Sequence, residues 1–423
     1  MSAAGVRLTP RNAPWLFEGA VPKLLALIDA DGEELRAVGG AVRNTLLGLP
    51  VREIDLATTA TPDVVMQRAT AAGMRVVPTG IEHGTVTVVV NDKPFEVTTL
   101  RRDVETDGRH AVVRFGRDWK ADALRRDFSI NALSADRDGK VFDFTGGLKD
   151  IAARRVRFIG DATTRIAEDY LRILRFFRFH AAYSDGGLPD ARGLAACIAA
   201  REQLASLSRE RVRSELLKLL LARHATPTLA VMSETGILID VLAGVPWLAS
   251  FSNMAKAEAD YDLEPDATRR LGALGVRVRE DAERLRERLR LTNDETRRLR
   301  TMAENWWQIA PDMGQVARRA VLYRVGPENY RDRVLLALSR AEEKTDDAGW
   351  SELYALPEEW PVPKCPYTAQ QFLDKGVKKG PALGAILARA ETAWIESGFP
   401  EEWDVLYTIR DWAIEQEKEQ GGE

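Results

Sequence analysis

The stretch AVGGAVRNTLLGLPVREIDLAT, residues 37–58, carries the strongest structural signal in the chain. Ala37 and Val38 predict a strand, and the two glycines that follow predict a tight turn into a helix that runs to Leu47. Residues 54–58 then predict a second strand. A strand-to-helix turn of this kind exposes backbone N–H groups at the helix start, where they can bind anions such as phosphates.

Gly39, Gly40 and Arg43 are the candidate ligands of such an anion. The glycines allow the backbone to approach a ligand closely, and Arg43, in the first helical turn, could add a charge-assisted contact. A pair of glycines at a strand end is on its own more typical of a simple tight turn, and this alternative stays open at this point.

Glu53 and Asp55 form the second motif. Residues i and i+2 of a strand face the same side, so these carboxylates repel each other unless a cation lies between them. Magnesium prefers such oxygen ligands. A solvated acidic strand edge is the alternative. Glu96, in the second strand of a hairpin predicted over residues 85–100, could supply a third carboxylate or be an ordinary surface residue.

Arg126 belongs to the third motif, LRRDFSINA, residues 124–132. Near a metal and triphosphate site it is a candidate phosphate clamp, whereas elsewhere it would form a surface ion pair with its acidic neighbour. The basic, turn-rich segment 101–126 that contains it predicts a mobile loop over the site.

The fourth motif is EDYLRILRFFR, residues 168–178, in which an aspartate and three arginines repeat every three residues. On a helix this spacing forms a stripe that winds slowly around the axis. A solvated basic face with one ion pair is the alternative reading. The four residues are Asp169, Arg172, Arg175 and Arg178.

The chain changes character near residue 150, after which nearly every segment has the apolar spacing of an amphipathic helix. We therefore predict an α+β protein, with a small mixed sheet in an N-terminal head and an all-helical remainder. The predicted divisions are an N-terminal extension (1–30), a catalytic head (31–150), a helical neck (151–225) and a helical body and tail (226–423).

Composition narrows the class of protein. The 423 residues carry a formal net charge of -4, so any nucleic-acid contact must come from local basic patches. Two distant cysteines favour a reducing cytoplasm over a disulfide framework or a cysteine-rich zinc site. The sequence shows neither a signal peptide nor an apolar run of about 18 residues, so we expect no membrane association. No obligate protein partner is evident.

In this order and spacing the four motifs resemble the class II CCA-adding enzymes, the tRNA nucleotidyltransferases, and the related bacterial poly(A) polymerases. The motif-bearing resemblance covers roughly residues 38–220 and implies a polymerase-beta-like head followed by an elongated helical neck, body and tail. It also implies magnesium-dependent addition of CCA to the 3′ end of tRNA, from CTP and ATP and without a nucleic-acid template.

The resemblance assigns a role to each candidate residue. Glu53 and Asp55 match the paired metal carboxylates of the family. Glu96, proposed from its place in the hairpin, is the third candidate catalytic carboxylate. Residues that bind the nucleotide are Gly39, Gly40, Arg43, Arg126, Asp169, Arg172, Arg175 and Arg178.

Asp169 and Arg172 are expected to select the base. Cytosine and adenine both present an amino donor beside a ring-nitrogen acceptor, which a carboxylate next to a guanidinium can pair with. Guanine and uracil present the opposite pattern and would leave polar groups unpaired, at a cost of roughly 1–3 kcal/mol per group. Arg175 and Arg178 would orient this pair or reach phosphates.

Two residues depart from the family pattern, and several functions stay open. Glu53 stands where the family usually has aspartate, and Asn44 stands where many members carry aspartate. A poly(A) polymerase, or an enzyme that adds only CC or only A, would share the same head. The acidic C-terminal end favours a shaped RNA over a general RNA grip. A non-catalytic RNA-binding protein with a decayed site is the remaining alternative.

Overall fold

The computed structural model describes residues 5–81, 84–106, 111–341 and 347–420. It contains two compact units, Met1–Val241 and Leu242–Glu423. The division between units therefore falls after residue 241. The finer boundaries that the sequence suggested at residues 30, 150 and 225 remain predictions.

A mixed sheet forms the centre of the first unit. The strands of the described residues are β1 (Leu35–Val38), β2 (Asp55–Thr58), β3 (Arg75–Gly80), β4 (Thr85–Val90), β5 (Lys93–Thr99), β6 (Arg101–Thr106), β7 (Ala111–Phe115), β8 (Ser134–Ala135) and β9 (Val141–Phe142). Seven of them pair in the order β3-β4-β5-β2-β1-β8-β9, and β6 and β7 form a separate hairpin. Only β2 and β5 run parallel within the described sheet, which agrees with the predicted mixed topology.

The hairpin of β4 and β5 follows from its turn. Asn91 and Asp92 both have positive φ angles, 52° and 60°, as the two-residue turns that suit twisted strands require. The predicted hairpin is confirmed, although β5 begins at Lys93, earlier than expected. The predicted loop over residues 101–126 is wrong where the chain is described, because β6, β7 and a short helix lie there. Residues 107–110 are outside the described residues.

An aromatic cluster joins the third motif to the helices that follow the sheet. Phe128 lies 4.9 Å from Phe158 and 5.2 Å from Phe179, measured between ring centroids, and Phe158 stacks on Phe176 at 5.3 Å. Burial of each such ring contributes about 1.5–3 kcal/mol to folding. The helices of the first unit are α1 (Pro14–Phe17), α2 (Val21–Ile28), α3 (Gly40–Leu47), α4 (Pro62–Ala71), α5 (Trp119–Leu124), α6 (Gly147–Ala152), α7 (Ala162–Glu168), α8 (Leu171–Tyr183), α9 (Ala191–Ala199), α10 (Arg209–Leu220), α11 (Ala225–Glu234) and α12 (Ile237–Leu242).

The second unit is helical throughout its described residues. Buried acidic and basic side chains tie its helices together; for example, Asp332 receives hydrogen bonds from Arg269 and Arg298. No described helix is both long and apolar enough to cross a membrane. The helices are α13 (Leu248–Asp260), α14 (Ala267–Gly275), α15 (Arg279–Leu289), α16 (Asn293–Ala303), α17 (Gln315–Val325), α18 (Pro327–Arg340), α19 (Asp347–Glu359), α20 (Ala369–Leu373), α21 (Pro381–Glu396) and α22 (Trp403–Gln420).

Candidate active site

The turn between β1 and α3 is built for a glycine and for an anion. Gly39 has a φ of 66°, which side chains rarely adopt, and a Cβ there would lie 3.4 Å from Nη1 of Arg126. Its N–H donates to the carbonyl of Leu133 at 2.9 Å, which fixes the turn. The first N–H groups of α3, at Gly40, Ala41 and Val42, have no acceptor inside the helix, so this helix start is a candidate anion site.

Arg43 is buried beside the glycine turn, with its Nη2 3.7 Å from the position that a Cβ on Gly40 would take. It is 6% exposed. Its Nη1 donates to Asn131, its Nη2 donates to the Tyr183 hydroxyl at 2.7 Å, and its guanidinium lies 3.8 Å above the Tyr183 ring. Burial lowers the pKa of Arg43 from its usual value. Arg43 therefore ties α3 to α8 through Tyr183. Its predicted contact with triphosphate stays a prediction.

Asn44 explains one of the two departures from the family pattern. Its carbonyl oxygen accepts Nη2 of Arg43 at 2.8 Å, while its Nδ2 donates to the carbonyl of Pro50 at 2.9 Å. An ionised aspartate could accept the first bond but could not donate the second. The amide thus holds Arg43 and the segment that leads to the acidic motif at the same time.

The three predicted carboxylates line one cleft. Asp55 is the first residue of β2 and is paired with Val38, the last residue before the glycine turn. Glu53 precedes the strand, so the prediction that both lie on one strand is wrong for Glu53. The parallel pairing of Leu56 with Val97 puts Glu96 level with Asp55 on the same face. The cleft has a volume of about 750 Å³.

Charge in this cleft favours a bound cation. Burial raises the pKa of Asp55, and the charge of Glu53 raises it further, against the opposing effect of Arg126. A divalent cation between the two carboxylates would relieve this strain. Among the described residues, no three acidic, histidine or cysteine side chains are grouped closely enough to hold a metal. Two carboxylates nevertheless fit magnesium, which is usually bound by one or two carboxylates together with substrate phosphates and water.

Arg126 lies between the glycine turn and the acidic pair. Asp122 holds its guanidinium through Nη2 at 3.1 Å, and its Nη1 lies 3.4 Å from the carbonyl oxygen of Asn131. Arg126 lowers the pKa of Asp55 through its charge and lies next to Gly39. It is therefore close to both the acidic pair and the glycine turn, where a phosphate is expected.

Asp169 and Arg172 flank the start of α8 and are each held by another residue. Asp169 lies just before the helix and not on it, which corrects the predicted helical stripe. Its Oδ1 accepts the N–H of Leu171 at 3.1 Å, and its Oδ2 accepts Nη2 of Arg211 at 2.6 Å. Arg172 donates to Glu168 and to the carbonyl of Arg165.

Arg175 and Arg178 are each paired with a carboxylate. Arg175 donates through Nε and Nη2 to Asp127, at 2.8 and 2.6 Å, and Arg178 donates to Glu215 at 2.5 Å. Although burial opposes it, the Arg175 guanidinium holds the pKa of Asp127 below its usual value. Both predicted roles of these arginines, to orient Asp169 and Arg172 or to reach phosphates, stay predictions.

These contacts form a continuous polar network from the glycine turn to α8. Asn131 receives Arg43 on its oxygen and donates from its nitrogen to Asp127 at 3.3 Å. Asp127 binds Arg175, which also lies 3.7 Å from Glu215 on α10. A chain of hydrogen bonds and ion pairs therefore connects the candidate anion site to α8.

Comparison with protein families assigns the first part of the chain to two models. Residues 35–157 match the poly A polymerase head domain, and residues 190–248 match the probable RNA and SrmB-binding site of polymerase A. The first match covers the sheet, the glycine turn and the acidic pair. The predicted resemblance gives the same head to CCA-adding enzymes and to poly(A) polymerases, so this match alone does not separate the two.

Full-length relatives are more decisive. The mitochondrial CCA tRNA nucleotidyltransferase 1 of Homo sapiens is 33% identical over 401 residues, covering 92% of this chain and 89% of the relative. The CCA-adding enzyme of Limosilactobacillus fermentum is 31% identical over 397 residues, covering 93% and 96%. This chain belongs to the CCA tRNA nucleotidyltransferase family. The resemblance inferred from four motifs is therefore confirmed, and it extends through the helical C-terminal half.

A solved CCA-adding enzyme shares the fold. The crystal structure of the Bacillus stearothermophilus CCA-adding enzyme in complex with CTP matches with a TM-score of 0.75 and 25% identity, covering 94% of this chain and 98% of that one. The predicted α+β class, with a nucleotidyltransferase head and a helical remainder, is confirmed.

The sequence analysis assigned no role to the residues that hydrogen-bond to the candidate arginines and to Asp169 and hold them in place. All of them lie in or near the four motifs or in the segment 208–220, and each is a polar residue close to a singled-out arginine or aspartate. A search for partners of those charges would have found them. They are Asp122, Asp127, Asn131, Glu168, Tyr183, Arg211 and Glu215.

Proposed function

We propose that this chain adds CCA to the 3′ end of tRNA, taking CTP and ATP as substrates and using magnesium and no nucleic-acid template. The observation that carries the proposal is the register of β1 and β2, which sets Asp55 directly beside the glycine turn. A phosphate site and a metal carboxylate are then neighbours, as nucleotidyl transfer requires, in a chain that aligns over its length with CCA-adding relatives.

Glu53 and Asp55 would hold the magnesium, which when bound activates the 3′-hydroxyl and neutralises the leaving pyrophosphate. The N–H groups at the start of α3 and the guanidinium of Arg126 would bind the triphosphate. Glu96, on the same face as Asp55, would border the reacting groups without completing the metal pair. Together these residues would align the attacking oxygen with the α-phosphate, and alignment is a large part of such catalysis.

Asp169 and Arg172 would select cytosine and adenine. Arg211 and the Leu171 N–H fix the Asp169 carboxylate, which still has acceptor capacity for an amino group. Within the described part of the chain, Arg172 uses only Nη1 in its hydrogen bonds, so Nε and Nη2 remain for a ring nitrogen. A pair held in this way would reject bases that present a carbonyl beside an N–H.

Arg43, Arg175 and Arg178 would act as positioning residues. Each is held by acidic, amide or phenol groups of the network. Arg175 and Arg178 lie on α8, and Arg43 contacts it through Tyr183. They would keep the selecting helix at a fixed distance from the glycine turn, which a template-free enzyme needs because its own side chains measure the base.

We place the enzyme in the cytoplasm. Cys197 and Cys365 are both free thiols, which suits a reducing compartment. The human relative is named as a mitochondrial enzyme, so the mitochondrion is the alternative location. We also propose that the second unit serves as the tRNA-binding body and tail.

The deciding experiment supplies tRNA that lacks its CCA end, with magnesium and labelled CTP and ATP, and sequences the products. Ends that read CCA support the proposal. Ends that read only CC, only A or a long A tract identify a partial enzyme or a poly(A) polymerase. Absence of both labels from the RNA would leave the decayed-site alternative.

A further inference from the structure

A cleft in the second unit contains two arginines that have no acidic partner. Its volume is about 330 Å³, and its walls are the start of α13, the segment after α14 and the end of α18. Arg277 and Arg340 lie in it side by side. Neither forms an ion pair with any described residue, whereas most arginines packed between the helices of this unit do.

Arg277 is fixed by aromatic contacts. Its guanidinium lies 3.9 Å above the ring of Trp247 and 5.4 Å from that of Trp306. The indole N–H of Trp306 donates to the carbonyl of Arg277 at 3.0 Å, which locks the backbone beneath it. The Nε of Arg277 is buried and, among the described residues, has no hydrogen-bond acceptor.

Arg340 is fixed by neutral groups. Its guanidinium lies 4.4 Å from the ring of Trp306, and it donates to the carbonyl of Val276 and to the hydroxyl of Ser250. Its Nη1 is buried without an acceptor in the described structure. Burial, followed by the charge of Arg277, lowers the pKa of Arg340 to about 9.

The nearest carboxylate does not neutralise this pair. Asp281 accepts the backbone N–H groups of Arg277 and Val278 at the start of α15, and its other oxygen accepts Arg284. The charge of Asp281 raises the pKa of Arg340 without an ion pair to it, so the two partly desolvated cations lie together with no ion-paired counterion among the described residues. Such an arrangement is costly in the free protein unless an anion binds between them.

The remaining wall of the cleft also donates hydrogen bonds. Trp247 precedes α13 and offers no side-chain cap, so the first N–H groups of this 13-residue helix stay open toward the cleft. Arg277 covers one face of Trp247, and both arginines lie against Trp306, so the cleft presents guanidinium groups beside these rings. The chemistry is that of a phosphate and not of a nucleobase.

We propose that Arg277 and Arg340, with the start of α13, bind one phosphate group of the RNA backbone. The cleft lies in the second unit, whereas the acidic pair and the glycine turn lie in the first. This inference rests on the proposed function, because it takes RNA as the substrate.

The test compares Arg277→Gln with the unmodified enzyme. We expect KM for tRNA to rise about tenfold, since a charge-assisted contact is lost, with kcat at saturating tRNA and KM for CTP unchanged. The slope of the logarithm of tRNA affinity against the logarithm of salt concentration should fall by about one. Arg340→Lys, which keeps the charge and loses the fork, should show an intermediate rise in KM.

Arg297→Gln is the matched control, because Arg297 lies on α16 of the same unit but does not line the cleft. Its side chain is 73% exposed and pairs with Asp294, three residues earlier. It should leave KM for tRNA near the unmodified value. Circular dichroism checks that each variant is folded.

An unchanged KM and salt slope in Arg277→Gln, while the unmodified enzyme still incorporates CTP, would overturn this inference and leave the proposed function intact. No incorporation by the unmodified enzyme would instead remove the proposed function. If inorganic phosphate raises the melting temperature of the unmodified enzyme but not of Arg277→Gln, and the tRNA dependence is unchanged, the site binds free anions and the RNA assignment is wrong.

Discussion

Asp127→Asn is the change that tests the network between the glycine turn and α8 most sharply. The substitution keeps the size of the side chain and removes the charge that receives Nε and Nη2 of Arg175 at 2.8 and 2.6 Å. Asp127 is also among the buried charged residues of the first unit. The other contacts of the side chain, to the Phe128 N–H and to Asn131, can be kept by the amide oxygen.

The expected cost follows from these contacts. Removal of one partner of a buried ion pair typically costs about 3–5 kcal/mol. Glu215 lies 3.7 Å from Nη1 of Arg175 and would neutralise part of the stranded charge, which favours the lower end, about 3 kcal/mol. Since about 1.4 kcal/mol is a factor of ten, amide hydrogen exchange in α8 should become roughly 100-fold faster.

The assay is hydrogen–deuterium exchange of the whole enzyme, read by mass spectrometry on peptides from α8 and α10. Arg175→Gln and the double variant complete a double-mutant cycle, in which the two losses should not add, because either change breaks the same pair. Peptides from α15, in the other unit, serve as the internal control. Unchanged exchange in α8, or fully additive losses, would refute the network.

The same variant has a pH signature. The folded protein holds the pKa of Asp127 below its usual value, chiefly through Arg175 acting against burial. The ion pair therefore contributes its full stability above the unfolded pKa, and this contribution is lost as pH falls through the lower, folded pKa. The acid-induced loss of α8 protection should be smaller in Asp127→Asn than in the unmodified enzyme.

Four further predictions concern the reacting groups. Asp55→Ala should abolish incorporation of CTP and ATP without altering the circular dichroism spectrum, because the carboxylate next to the glycine turn is lost; an active variant would disprove the metal assignment. Glu53→Asp should retain or raise kcat, since the family usually has aspartate there, and a large loss would mean that the site depends on the longer side chain. Arg172→Ala should raise incorporation of UTP and GTP relative to CTP and ATP; unchanged discrimination would count against a templating role. Because burial and Glu53 raise the pKa of Asp55, protons should compete with magnesium, so the magnesium concentration for half-maximal activity should rise as pH falls, and a pH-independent value would contradict this.

Elements that depend only on neighbouring residues could be predicted from the sequence. The glycine turn, the helix that ends at Leu47 and the hairpin within residues 85–100 each depend on a few neighbouring residues, and the structure confirms each of them. Order and spacing of the four motifs were also sufficient for the family, because no single motif had to carry that inference.

The direction of long side chains could not be predicted. Arg43 is in the first turn of α3, as expected, yet its guanidinium turns toward Asn131 and Tyr183, which are 88 and 140 residues further along the chain. Arg175 likewise meets Asp127 across 48 residues. An arginine has several rotatable bonds, so its target is set by tertiary partners that sequence spacing does not reveal.

The acidic pair shows the same limit on a smaller scale. An E-x-D pattern was expected to put both carboxylates on one strand, but β2 begins only at Asp55, where pairing with Val38 starts. Glu53 comes from the preceding segment, whose path Asn44 helps to fix through Pro50. The longer side chain and the irregular backbone at Glu53 belong to one local arrangement.

The most direct test of the whole account is product sequencing after incubation of the enzyme with tRNA that lacks CCA, magnesium, CTP and ATP, with the Asp55→Ala variant in parallel. The account predicts tRNA ends that read CCA for the unmodified enzyme and unextended ends for the variant. Unextended ends in both reactions, or equal extension in both, would contradict it.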